Sequence, residues 1–166
     1  MSKQIPLTQS KFAIVDNEDY EWLMQWKWCA AKVRNTFYAT RVIGTRLNQQ
    51  TISMHRLIMN TAKEMQTDHR NHNGLDNRKE NIRTCTHSEN QHNRKVTHKG
   101  TSKYKGVCWK KGITYKGHQY DGKWCTQITN KDKSIHIGYF NDEIKAAKAY
   151  DQKAKELFGE FAHTNF

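Results

Sequence analysis

Between Thr67 and Asn90 the chain concentrates side chains that bind metals or hydrogen-bond: Asp68, His69, Asn71, His72, Asn73, Asp76, Asn77, Asn81, Cys85, His87 and Asn90. So few residues here are apolar that packing does not account for the stretch. Asn71, Asn73, Gly74 and Asp76 suit a tight loop built on Asx turns. The dipeptide Asp68-His69 is common and carries no meaning by itself. A zinc site drawn from His72, Cys85, His87 and His92 lacks the paired spacing of structural zinc sites. A second kind of chemistry follows. Between Gln91 and Tyr120 there are eight basic residues and no acid, interleaved with Tyr104, Trp109, Tyr115 and Tyr120. Such a strip gathers phosphates and releases counterions.

The elements that must hold these residues are legible from pattern. Gln66–His69 and Ile82–Cys85 read as strands around the polar loop, and Thr86 or Ser88 opens a helix with Glu89 in its first turn. Upstream, residues 11–15 read as a strand, Asp16 as the cap of a helix ending near Met24, and Trp26–Lys32 and Thr36–Ile43 as strands joined at Arg34-Asn35. Gln50–Ser53 and Met54–Met59 follow as a strand and a short helix. Trp22, Trp26 and Trp28 read as core. Residues 95–103 have the composition of a linker. Beyond it, Tyr104–Lys110, Lys123–Asn130 and Ser134–Phe140 read as an antiparallel meander. Asn141 or Asp142 caps a long helix with apolar residues at Ile144, Ala147, Tyr150, Ala154, Leu157 and Phe158. The expected class is α+β: a mixed N-terminal domain over 1–94, then a small domain over 104–166 with three strands packed on one helix.

Composition narrows the function classes. In 166 residues there are 28 Lys and Arg against 16 Asp and Glu, a net charge of +12. The excess is spread along the chain, as expected of a protein with a polyanionic partner, nucleic acid first. Hydrophobic residues are 36%, and no run approaches the roughly 20 apolar residues of a membrane span. The N-terminus lacks the apolar stretch of a secretory signal. The four cysteines show no tight pairing, so reduced thiols in a cytosolic protein are expected.

Taken together, Asp68-His69, the Asn-Gly loop, Asn77-Arg78, Asn81-Ile82-Arg83 and Ser88-Glu89-Asn90, with Met54-His55-Arg56-Leu57-Ile58 upstream, resemble an HNH homing endonuclease in its His-Asn-Asn form. The resemblance implies a ββα-metal motif over about 66–94 and metal-dependent hydrolysis of DNA. It implies His69 as general base, and Asp68 and Asn90 as ligands of one divalent ion, Mg²⁺ or Mn²⁺. It further implies that Asn81 ties the loop together and that Arg70, Arg78 and Arg83 contact phosphates. His55 is open between a contact in that site and a structural hydrogen bond.

Residues 102–166 resemble an Apetala/ethylene-response-factor DNA-binding domain, in the form attached to phage HNH enzymes. The motifs are Tyr104-Lys105-Gly106-Val107, Lys123-Trp124, Ile137-Gly138-Tyr139-Phe140, Ala146-Ala147-Lys148-Ala149-Tyr150-Asp151 and Phe158-Gly159-Glu160-Phe161. The resemblance implies a sheet laid in the major groove, with Lys105, Lys110 and Lys123 facing DNA and Trp109 and Trp124 as aromatic contacts. Lys105, Lys110 and Cys108 stand where plant members generally carry arginines. Lysine lacks the bidentate fork for guanine, so the plant target is not implied. The expected function is a site-specific HNH DNA endonuclease acting as a monomer, with a dimer as the alternative, in the cytoplasm of a bacterial host. The competing function is a non-catalytic, sequence-specific DNA-binding regulator on a decayed nuclease scaffold.

Overall fold

In the computed structural model the described residues are 1–95, 100–131 and 133–166. They form two units, Met1–Asn90 and Gln91–Phe166, in a sheet-rich α+β arrangement of small antiparallel sheets and few helices. Residues 96–99 of the expected linker, with its Lys99, and Asp132 of the expected last turn lie outside the described residues.

In the first unit, Phe12–Asp16 (β2) is the strand expected at 11–15, and it pairs antiparallel with Ser2–Pro6 (β1), which sequence pattern did not mark. The pairing sets Ile5 opposite Ala13, and both are buried. Asp16 precedes helix α1 (Asn17–Leu23) as expected, but its side chain does not cap the helix. Instead its Oδ2 accepts the Lys79 backbone N–H at 2.8 Å, which ties the polar loop to this corner. Cys29–Val33 (β3), Thr36–Ile43 (β4) and Gln50–Ser53 (β5) form a meander, and Met54–Ile58 (α2) follows directly. Ile5, Ala13, Val15, Leu23, Trp28, Ala39 and Met54 make one core, with Trp22 and Trp26 packed against it. Full burial of a side chain such as Leu23 or Met54 contributes about 2 kcal/mol. The indole of Trp28 donates to the Leu23 carbonyl at 2.9 Å, so the ring packs without an orphaned donor. Gln66–His69 (β6) and Ile82–Cys85 (β7) pair antiparallel, and His87–His92 (α3) completes a strand, loop, strand, helix order. Thr86 and Glu89 exchange bonds across the first turn of α3, the reciprocal cap expected there.

In the second unit, Val107–Lys110 (β8), Lys123–Asn130 (β11) and Lys133–Phe140 (β12) form a sheet of order β12-β11-β8. The segment between β8 and β11 is not a plain loop. Ile113–Tyr115 (β9) and His118–Tyr120 (β10) pair as a hairpin around Lys116-Gly117, both at positive φ. Helix α4 (Glu143–Phe158) is capped by Asp142, whose Oδ1 accepts the Lys145 N–H at 2.7 Å. Ala146, Ala147, Tyr150 and Ala154 are buried against the sheet. Ile144, expected on that stripe, is the second residue of the helix and is 46% exposed. The C-terminal tail is clasped to α4 through Asp151, which accepts the N–H groups of Asn165 and Phe166 at 2.7 and 3.0 Å.

The small alanines bring helix and sheet close enough that Gly106 meets the Tyr150 ring. A Cβ at Gly106 would stand 2.1 Å from a ring carbon and 2.6 Å from the Gln127 carbonyl oxygen, at a φ of +73°. Gly106→Ala therefore combines left-handed strain with overpacking and should cost about 2 kcal/mol or more. Urea unfolding followed by Trp fluorescence measures this, and an unchanged midpoint would contradict the packing described.

Candidate nucleic-acid interface

Strand alternation divides the β12-β11-β8 sheet into two chemically different faces. The Thr126 hydroxyl donates to the Ala146 carbonyl at 3.2 Å, which fixes the side of β11 that meets α4. Trp124 and Ile128 lie on that side too, packed in the helix-side clusters. Lys123, Cys125 and Gln127 consequently point away. Register carries the division across: Lys110 pairs with Lys123, Cys108 with Cys125, and Tyr139 with Cys125. Ile135 and Ile137 pack toward α4 by alternation, and the register shift between Thr126 and Gln127, a bulge, lets His136 and Tyr139, three residues apart, both lie on the open side opposite Gln127 and Cys125. The open face thus presents Lys110, Lys123, Gln127, His136 and Tyr139, all exposed, around the two thiols. The strands β8, β11 and β12 contain no Asp or Glu. A face with two cross-strand cations, hydrogen-bonding tips and no acid can approach a polyanion without a like-charge penalty. The β9–β10 hairpin beside it exposes Tyr115 and Tyr120.

Several residues expected on this face are placed elsewhere. The Lys105 ammonium is turned inward and donates to the His92 and Arg94 carbonyls at 2.7 and 3.0 Å. Burial, and then the charge of Arg94, pull its pKa down to about 8. Trp124 packs on Val107, Ala146 and Ala147. Trp109 is its cross-strand partner on the helix side, with ring centroids 5.0 Å apart, and stands at the rim. Lys110 and Lys123 are exposed and paired across β8 and β11 on the open face. Gln127, His136 and Tyr139, which sequence pattern did not single out, share that face; register outward from Lys110 and Lys123 leads to Gln127, but the bulge hides the other two.

The polar stretch of the first unit is an internally bonded network. Asp68 is buried, and its Oδ2 accepts from Nε and Nη2 of Arg83 at 3.0 and 2.8 Å. His69 is 4% exposed, and its Nε2 lies 3.2 Å from the Asn77 side-chain Oδ1. Its ring stands 5.0 Å from that of His55 and 5.7 Å from that of Tyr38. Burial holds the imidazole below the usual histidine range, against the hydrogen bond to the Asn77 Oδ1 and the charges of Asp68 and Asp76. Asn90 is half-buried on α3, and its amide donates to Gln66 at 2.7 Å. Asn81 accepts the Asn71 N–H and donates to the Asp76 carbonyl, bridging the two ends of the loop. Arg78 grips Asp76 with two bonds of 2.8 Å and also pairs with Glu80. Arg70 is exposed.

The fit of a divalent cation can be judged from these donors. The Asp68 carboxylate faces a guanidinium, and the Asn90 amide nitrogen donates to Gln66, which leaves its Oδ1 as the only atom that could ligate. Among the described residues no group of three His, Cys, Asp or Glu side chains is arranged to hold a metal. An Arg⁺ at 2.8 Å competes with a dication for the Asp68 carboxylate, so with this ion pair in place Asp68 does not fit the role of a Mg²⁺ or Mn²⁺ ligand. Arg78 and Arg83, expected on phosphates, are engaged by carboxylates within the unit.

No known protein-family profile matches the chain. It is 38% identical over 66 residues to the AP2/ERF and B3 domain-containing transcription repressor TEM1 of Arabidopsis thaliana, covering 40% of this chain and 16% of that protein. It is 36% identical over 70 residues to the ethylene-responsive transcription factor WRI1 of Arabidopsis thaliana, covering 41% of this chain and 14% of that protein. It is 33% identical over 81 residues to the ethylene-responsive transcription factor ERN3 of Medicago truncatula, covering 48% of this chain and 30% of that protein. The chain thus spans less than a third of the length of these relatives. The relatives are named transcription factors and a repressor, and they correct the expectation of a hydrolase. Their plant origin likewise corrects the expectation of a phage protein in a bacterial cytoplasm. Among the described residues no helix is long and apolar enough to cross a membrane.

The histidine pair makes stability depend on pH. Burial, with the charges of His69 and Arg56 acting the same way, lowers the His55 pKa to about 3, and its Nδ1 is buried without a hydrogen-bond partner. Between about 6.5 and 3 the unfolded chain binds a proton that the folded unit refuses. The first unit should therefore lose stability as pH falls below about 6.5, with His55 contributing up to about 1.4 kcal/mol per pH unit and His69 acting in the same direction. Urea midpoints between pH 7 and 5 measure this for wild type and His55→Gln. A slope unchanged by the substitution would contradict the assignment.

Proposed function

We propose that the chain is a sequence-specific binder of double-stranded DNA that regulates transcription, acting as a monomer that lays the open face of β8, β11 and β12 in the major groove. The observation that carries this reading is the cross-strand pair Lys110–Lys123 on an acid-free face whose reverse is sealed by α4. A two-stranded ribbon or small sheet fits the width of that groove. The lysines supply phosphate contacts, while Gln127, His136 and Tyr139 offer groups for base edges. Likeness to AP2/ERF transcription factors supports the same assignment. In this reading the β6–loop–β7–α3 segment is a ββα-metal nuclease scaffold kept for its fold. Its Asp68 is neutralised by Arg83 and its loop is stitched by Asn71, Asp76, Arg78 and Asn81.

Selection from random duplex DNA should enrich one sequence. On that duplex, Lys110→Ala with Lys123→Ala should weaken binding and reduce the slope of log affinity against log salt by about 2, one per lost phosphate contact. Failure to enrich any sequence, or an unchanged slope, would contradict the reading. So would a Mg²⁺-dependent nick in the selected duplex that disappears in His69→Ala.

A further inference from the structure

The second unit carries an arrangement that DNA binding does not require. Cys108 on β8 and Cys125 on β11 are direct cross-strand partners, so they share the open face of the sheet. Directly opposed residues of an antiparallel pair have Cα atoms about 4.5 to 5.5 Å apart, inside the span that a disulfide bridges. Both are free thiols. The Cys108 thiol lies close enough to Cys125 to act on its ionisation, which burial and then Cys108 push up. Cys108 is half-buried and reachable, whereas Cys125 is 3% exposed. On the other flank the His136 Nδ1 stands 3.6 Å from the Cys125 sulfur. The rung next to this pair is Lys110–Lys123.

We propose that Cys108 and Cys125 form a reversible dithiol switch on the DNA-facing sheet, oxidised by a small disulfide of the glutathione class. Cys108, as thiolate, attacks one sulfur of glutathione disulfide, forming a mixed disulfide and expelling one glutathione thiolate. Cys125 passes its proton to the His136 imidazole and attacks the Cys108 sulfur, expelling the second. The dithiol loses two electrons and two protons; one glutathione disulfide becomes two glutathione molecules. The accessible thiol attacks and the buried one resolves, so the adduct is short-lived. The bridge draws the two Cβ atoms to about 3.8 Å and twists β8 against β11 beside Lys110 and Lys123. The predicted consequence for DNA rests on the function proposed above; the thiol chemistry does not.

The full chain is treated with glutathione disulfide, alkylated, and mapped by peptide mass, and DNA affinity is measured before oxidation, after it, and after dithiothreitol. Expected are a Cys108–Cys125 linkage in wild type, a retained glutathione adduct on Cys108 in Cys125→Ser, and DNA affinity at least tenfold weaker after oxidation and restored by reductant. Absence of the linkage under conditions that modify exposed Cys29 would overturn the proposal. A linkage that forms while affinity stays unchanged would overturn the switch. If the reduced protein binds no DNA, the function proposed above fails, whereas the dithiol is judged by the linkage alone.

Discussion

The second unit depends on one constraint: successive side chains of a strand must point to opposite faces, and only one face of a three-stranded sheet can be covered by one helix. Ala146, Ala147 and Ala154 let α4 come close, and Tyr150 fills the space that Gly106 leaves. Once Val107, Trp124, Thr126 and Ile128 are committed to that side, the other face is determined. It must hold Lys110, Lys123, Gln127 and the two cysteines. The chemistry offered to a partner is therefore set by the same alternation that builds the core. No separate element is needed to aim these side chains.

The first unit works differently. Its hydrophobic core is built on β1, β2, α1, β4 and α2, whereas the loop between β6 and β7 is held by polar groups that satisfy one another. Leu75 and Asn77 bond to Ile14 of β2, and Asp16 takes the Lys79 N–H. Breaking a buried pair such as Asp68–Arg83 strands a charge, which costs about 3 kcal/mol or more. That asymmetry accounts for a segment rich in hydrogen-bonding side chains without assigning each a chemical step. It also bears on the two neighbouring histidines: an apolar, crowded setting favours neutral rings, and each ring's charge would repel the other's.

Sequence pattern located most elements, because amphipathic periodicity and capping residues are local signals. The meander of the second unit, the Asp142 cap and the strand, loop, strand, helix order around residues 66–92 follow from such signals. Apart from the local β9–β10 hairpin, what it missed depended on partners distant in sequence. β1 is a strand because β2 lies beside it. The inward turn of Lys105 depends on carbonyls at His92 and Arg94. The helix-side placement of Trp109 and Trp124 depends on register and not on residue type. Likewise, Asp68 as a candidate ligand reads the same in sequence whether or not Arg83 takes it. Only the β6–β7 pairing, which sets Asp68 opposite Arg83, decides.

The central claim is that DNA is met by the open sheet face and not by the lysines of α4. Titrating the selected duplex into isotopically labelled protein and following side-chain and amide NMR shifts tests it directly. The account predicts shifts concentrated at Lys110, Lys123, Gln127, His136 and Tyr139. Shifts centred instead on Lys145, Lys148 and Lys155, with the sheet face unmoved, would contradict it.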